Sequence, residues 1–229
     1  MSARVRRPPP PLSRMGEGCL TLAEMPKIRR IPIGLVRVLV AGGLIGGPSL
    51  FFAALCMPGA LPSYAWIPFC LLVTLIYLVG WATWLYVVHG AWSAIQDGQA
   101  RVGPARAVGL LLAPVYNVYW IFPAVYGLSQ DWNRFASRHA TAGLMQNERV
   151  FLAQASSMAG SLACTLVALA ARVAAPGYLA PLLNTCVFGS VLLGLAATWV
   201  AVKTGTRLSD GVNDIASTQE RALGDAPVA

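Results

Sequence analysis

Four long apolar runs dominate the chain, interrupted by two short Pro/Gly turns and one long mixed region. The runs cover about Ile33 to Met57, Tyr64 to Val88, Phe151 to Val173 and Leu179 to Val202. Each exceeds the roughly 20 residues that cross about 30 Å of hydrocarbon, so the pattern predicts four transmembrane helices. Pro58-Gly59-Ala60-Leu61-Pro62 joins the first two, and Ala175-Pro176-Gly177 joins the last two. Connections that short predict two helical hairpins. The expected fold is therefore an all-α integral membrane protein. It divides into a basic tail (1–30), hairpin 1 (31–88), a cytoplasmic or interfacial region (89–150), hairpin 2 (151–202) and a cytoplasmic tail (203–229).

The segment Ala107 to Leu128, AVGLLLAPVYNVYWIFPAVYGL, breaks this pattern. It is apolar enough to span, but Pro114, Asn117 and Pro123 interrupt it. Basic residues concentrate on the cytoplasmic side of membrane proteins, which arbitrates. If the segment crossed, Arg134, Arg138, Arg149, Lys203, Arg207 and Arg221 would all face outward. If it dips in and returns, or lies in the interface, only Arg172 does. The expectation is a Pro-broken re-entrant or interfacial segment, with both termini and the central loop cytoplasmic. Backbone freed by Pro114 is tolerable at membrane depth only where protein or water covers it. Tyr116, Tyr119, Trp120, Phe122 and Tyr126 suit the headgroup level.

Beyond it, Leu128, Trp132 and Phe135 recur at i, i+4 and i+7, opposite Asp131, Arg134 and Arg138. That spacing predicts an amphipathic helix on the cytoplasmic surface, with Trp120, Trp132 and Phe135 as interfacial anchors. A weak internal repeat also appears. Thr83-Trp84 followed by Gly90 matches Thr198-Trp199 followed by Gly205, and each hairpin ends in an Asp-Gly pair, Asp97-Gly98 and Asp210-Gly211. A duplicated hairpin would place its pseudo-axis along the membrane normal.

Composition supports the membrane class. Apolar residues make up 56% and charged residues 11%, against about 45–50% and about 25% in soluble domains. The 17 Lys+Arg against 9 Asp+Glu sit at the edges of apolar runs rather than on one face. That argues for contact with anionic headgroups and against nucleic-acid binding. The basic tail carries Arg4, Arg6, Arg7 and a proline run, Pro8 to Pro11, that reads as a spacer. Met15 and Met25 are further candidate starts. Cys19, Cys56, Cys70, Cys164 and Cys186 read as small packing residues, with a Cys56–Cys70 disulfide as the alternative.

No ionisable residue falls at the middle of a predicted span. Charges there cost at least about 2.5–3.5 kcal/mol and usually mark ion or proton paths, so their absence argues against a pump or a proton-coupled carrier. Small residues recur at helical spacing instead: Gly42/Gly46, Gly43/Gly47, Ser157/Ser161 and Ser190/Gly194. Such seams let helix backbones approach closely, either in a homodimer or within the chain. His89 and His139 lack ligand partners at metal-binding spacing, and no nucleotide, hydrolase or zinc-protease motif occurs, so no metal or cofactor is expected. One polar cluster, His89, Asp97, Arg101, Asn117 and Tyr119, is a candidate headgroup or anion site.

The stretch Ala91-Trp92-Ser93-Ala94-Ile95-Gln96-Asp97-Gly98, then Pro104-x-x-Ala107-Val108-Gly109 and Pro114-x-x-Asn117-x-Tyr119-Trp120, resembles a block of uncharacterised bacterial multi-span membrane proteins. Asp210-Gly211-Val212-Asn213 is similar to how those chains end. The likeness implies a topology in the bacterial inner membrane and no chemistry. Three functions remain open. The first is a non-enzymatic protein acting through helix packing, lipid contact or a membrane partner. The second is a small carrier or channel using the segment around Pro114 and Asn117. The third is a headgroup-modifying enzyme using Asp97 and His89.

Overall fold

A computed structural model describes residues 20, 25–42, 65–139, 144–174 and 180–224. Every regular element among them is helical. Helix α1 covers Ile33–Ala41, α2 Trp66–Ala94, α3 Pro104–Gly109, α4 Pro114–Ile121, α5 Gly127–Arg138, α6 Glu148–Ala174 and α7 Ala180–Gly224. Two of them hold windows long and apolar enough to cross a membrane, Ile67–Ala94 and Glu148–Val167. Their outer faces are apolar as well: Ile67, Leu71, Leu72, Leu75 and Leu78 of α2 are all more than half exposed. A helix in the core of a water-soluble protein would bury that face. Beyond Gly42 the first predicted span lies outside the described residues, as do both hairpin turns.

Proline chemistry shapes the segment between α2 and α5. The chain leaves α2 through Asp97-Gly98, where Gly98 has φ 87°, a left-handed conformation that favours glycine. The Asp97 carboxylate accepts the Gln99 N–H at 3.0 Å, closing an Asx turn. Pro104 and Pro114 then occupy the first turns of α3 and α4, where their missing N–H costs nothing. A residue before proline is pushed out of the helical region, and Ala113 accordingly has ψ 109° after the 3-10 turn Leu110–Leu112. The chain therefore reverses at Ala113. Trp120 Nε1 donates to the Ala107 carbonyl at 3.1 Å, which puts residue 120 level with residue 107. The segment folds back on itself as a short helical V. After Ile121, Pro123 removes one link of the helical ladder and the chain takes a π-helical turn, Phe122–Tyr126, before entering α5.

Helix α7, 45 residues in one piece, is about 67 Å long at 1.5 Å per residue. The stretch expected as a cytoplasmic tail from residue 203 continues this helix to Gly224, and Thr204, Leu208, Val212, Ile215, Ala216 and Gln219 form a buried stripe down that half. The two Asp-Gly pairs of the weak repeat differ in structure: Asp97-Gly98 leaves α2 in a turn, whereas Asp210-Gly211 is helix interior, where the buried stripe rewards continued helix.

The stripe of α7 organises the ends of the chain. Asn213 Oδ1 accepts the Ile31 N–H at 2.7 Å, and its Nδ2 donates to the Ile31 carbonyl at 2.9 Å. Gln219 repeats the arrangement, accepting from Ile28 N–H at 3.1 Å and donating to the Met25 carbonyl at 2.9 Å. Residues 25–31 thus form an extended strap clamped on α7. Arg30 pairs with Glu220, and Arg37 of α1 with Asp210 at 3.5 Å. The strap crosses α2 where Gly90 leaves room for the Ile31 side chain; a Cβ there would lie 3.0 Å from Ile31 Cδ1.

Candidate functional site

One arm of the helical V, α4, lines a cavity of about 220 Å³ bounded by four helices. Tyr77, Trp81 and Trp84 line it from α2, Asn117 and Ile121 from α4. Met158, Ser161, Leu162 and Thr165 line it from α6, with Gly194, Ala197, Thr198 and Ala201 from α7. Trp81 stands edge-on to Trp84 at 5.3 Å and to Tyr77 at 6.3 Å, a geometry that holds indole rings in place. Small residues let α6 and α7 close the opposite wall: a Cβ on Gly194 would sit 3.4 Å from Ser161 Oγ, and one on Gly160 3.0 Å from Leu193 Cδ1.

Among the described residues the lining carries no charged side chain. Its polarity comes from neutral groups, and two of them lack a partner. Trp84 is 1% exposed, yet its Nε1–H donates to nothing. Asn117 Oδ1 is buried and accepts nothing. An unmet buried donor or acceptor costs about 1–3 kcal/mol, so this pair is a standing penalty in a cavity far larger than one water needs. A third unmatched atom, Gln154 Nε2, lies in the adjoining α6–α7 interface, where Gln154 Oε1 accepts from Thr204 Oγ1 at 2.6 Å.

The expected polar cluster does not assemble. Asn117 faces the cavity, and Tyr119 is 68% exposed beside Tyr116. His89 is exposed on α2 beside the strap. Asp97 turns inward: it is fully buried, and its carboxylate accepts Arg138 Nε at 2.8 Å and also pairs with Arg138 Nη2. His139 Nε2 stands 3.6 Å from the same carboxylate, beyond hydrogen-bond length. Burial lowers the His139 pKa from its ordinary 6.5 and outweighs the opposing pull of Asp97. Arg101 joins Asp131 at 2.8 Å and Gln130 at 2.9 Å. These are two ion-pair joints fastening the α2–α3 loop to α5, rather than one site. Among the described residues no group of three His, Cys, Asp or Glu side chains could hold a metal.

The anchors are corrected too. Trp132 and Phe135 are fully buried in protein, and Trp120 is 7% exposed. Trp132 Nε1 donates to the Leu144 carbonyl at 2.8 Å, and its ring lies against Gly211 of α7. The apolar face of α5 was placed correctly, but its partner is the chain itself. Of the packing seam, Ser161 and Gly194 meet each other across α6 and α7, Ser157 caps back to Ala153, and Gly42 faces open space. Gly43, Gly46, Gly47 and the Ser190 side chain lie outside the described residues. Cys70 and Cys164 are free thiols, and Cys56 lies outside the described residues.

No family model, curated protein or solved structure matches the chain. The site must therefore be judged on its own geometry. Sequence reasoning found Asn117 but missed Trp84, whose only signal was membership of the Tyr77, Trp81, Trp84 face at i, i+4 and i+7.

Proposed function

We propose that this chain is a four-span membrane protein with both termini cytoplasmic and a re-entrant helical V. In this reading it acts as a small carrier that receives an uncharged molecule in the cavity beneath that V. The observation that carries the proposal is the unpaired couple Trp84 Nε1–H and Asn117 Oδ1 among residues that line an uncharged, ring-walled space. A cargo offering one acceptor and one donor on a compact apolar body would satisfy both. The apolar outer faces of α2 and α6 and the reversal at Ala113 support the membrane placement. Trp92 Nε1 donates to the Ala124 carbonyl, and Trp81 lies eleven residues further out on α2, about 16 Å at helical rise. The apex would then reach roughly half of a bilayer core about 30 Å thick. Absence of charge in the lining fits a neutral cargo and supports a non-enzymatic role.

Phenol is a suitable probe, since its hydroxyl donates and accepts. It should raise the melting temperature of the purified protein and quench tryptophan fluorescence saturably, whereas benzene should do neither as strongly. Asn117→Leu removes the acceptor and keeps the branched shape of the side chain. It should abolish the phenol effect and phenol flux in proteoliposomes while leaving the fold stable or more stable. Equal responses of wild type and Asn117→Leu would mean that the cavity holds only water. A reporter fused at Gly143 tests the topology separately: a cytoplasmic signal is expected, and a periplasmic one overturns it.

A further inference from the structure

The strap creates a second recess. Between residues 26–31 and the last turns of α2 lies a groove of about 470 Å³, whose lining includes Lys27, Arg29, Tyr86, His89, Ser93 and Pro104. Among the described residues no carboxylate lines it. The basic residues of this region divide into two sets. Arg30 and Arg37 are engaged by Glu220 and Asp210 of α7. Lys27 and Arg29 have no acidic partner among the described residues, and both border the groove. Its floor is apolar, made by Ile28 and Ile31 where the strap meets Gly90. The Asn213 and Gln219 clamps fix the wall that carries the cations, so the recess is held open by hydrogen bonds and not by the ligand.

We infer that this groove binds the phosphodiester headgroup of an anionic phospholipid. Two unneutralised cations and an imidazole supply the charge and donors that a phosphate takes. The Ile28, Ile31 and Tyr86 surface suits the glycerol and upper acyl carbons, which a free phosphate would leave uncovered. In the proposed topology the groove sits at the cytoplasmic end of α2, at the level of anionic headgroups. The inference rests on that membrane placement but not on the cavity or its cargo.

The test uses the full chain reconstituted in phosphatidylcholine vesicles containing a minority of phosphatidylglycerol. Retained phosphatidylglycerol is then measured by native mass spectrometry. Lys27→Gln with Arg29→Gln should lower retention roughly 25-fold, about fivefold for each cation. Arg30→Gln with Arg37→Gln removes the same charge from positions already neutralised and should change it less than about twofold. Ser93→Trp fills the groove without altering charge and should lose the lipid as the first pair does. Unchanged melting temperatures in phosphatidylcholine alone would show that the fold is kept. Equal loss in both charge pairs, or full retention by Ser93→Trp, would reduce the groove to general surface attraction and overturn the inference. Displacement of the lipid by millimolar inorganic phosphate would overturn it in favour of a free-anion site.

Discussion

Replacing Gly211 by alanine tests how tightly α5 and α7 are joined. In the interior of a helix this substitution normally stabilises by about 1 kcal/mol, because glycine loses more backbone entropy. At this position the new Cβ would lie 2.6 Å from Trp132 Cζ2 and 3.2 Å from Cη2, well inside contact distance. The ring cannot swing aside cheaply, since it is fully buried and its Nε1 is held by the Leu144 carbonyl. Overpacking of this kind costs typically 1–3 kcal/mol or more, so Gly211→Ala should be destabilising by up to about 2 kcal/mol. Gly205 supplies the control on the same helix. Its added Cβ would meet Trp84 Cδ1 at an ordinary 3.8 Å, and Gly205→Ala should stabilise by up to about 1 kcal/mol. At roughly 2–4 °C per kcal/mol for a chain of this size, a difference of up to about 3 kcal/mol separates the two melting temperatures in mild detergent by up to about 6–12 °C. In a Trp132→Phe background the clashing atoms are gone, and the alanine penalty should disappear. A Gly211→Ala protein that melts at or above wild type would refute the close packing of Trp132.

Three further outcomes follow from the ion pairs and the strap. Asp97→Asn leaves Arg138, 23% exposed, without its anion, and should cost about 3 kcal/mol of stability, as breaking a buried pair does; chemical denaturation measures it. The lowered His139 pKa means that the unfolded chain takes up this proton first as pH falls. Its contribution to stability is full above about pH 6.5 and declines below that, so the melting temperature should drop on acidification and His139→Gln should flatten the drop. Asn213→Ala removes two strap hydrogen bonds worth about 1 kcal/mol each. Trypsin cleavage at Arg29 and Arg30 should accelerate by roughly 10–30-fold with little change in global melting.

The sequence was most legible where local chemistry decides. The length of the apolar runs located α2, α6 and about the first half of α7, and Pro114 marked the break at Ala113, since the residue before proline resists the helix. The face of α5 that is buried was also readable at Leu128, Trp132 and Phe135. Its partner was not, because an apolar stripe looks the same whether lipid or protein covers it. The polar cluster failed for a related reason. His89, Asp97 and Arg101 are close along the chain, but Asp97 turns inward to Arg138 and Arg101 reaches Asp131, while His89 faces the strap. Asp210-Gly211 reads as a turn locally, and only the distant indole of Trp132 explains the glycine. The carboxamide clamps join residues 182 and 191 positions apart in the chain, a separation no local pattern encodes.

Those clamps hold main-chain atoms of the strap and none of its side chains, so the hydrogen bonds are indifferent to side-chain identity, while the buried Met25 and Ile31 side chains are held by packing. What the clamps exclude is proline, and only where an amide hydrogen is engaged, at Ile28 and Ile31. The two prolines that flank this stretch, Pro26 and Pro32, fall where no amide hydrogen is needed, and Gln219 also lies 3.4 Å from the Pro26 carbonyl. In a family of such chains the clamps by themselves would exclude only proline at two strap positions. The record of this contact would then lie in Asn213 and Gln219, nearly two hundred residues away.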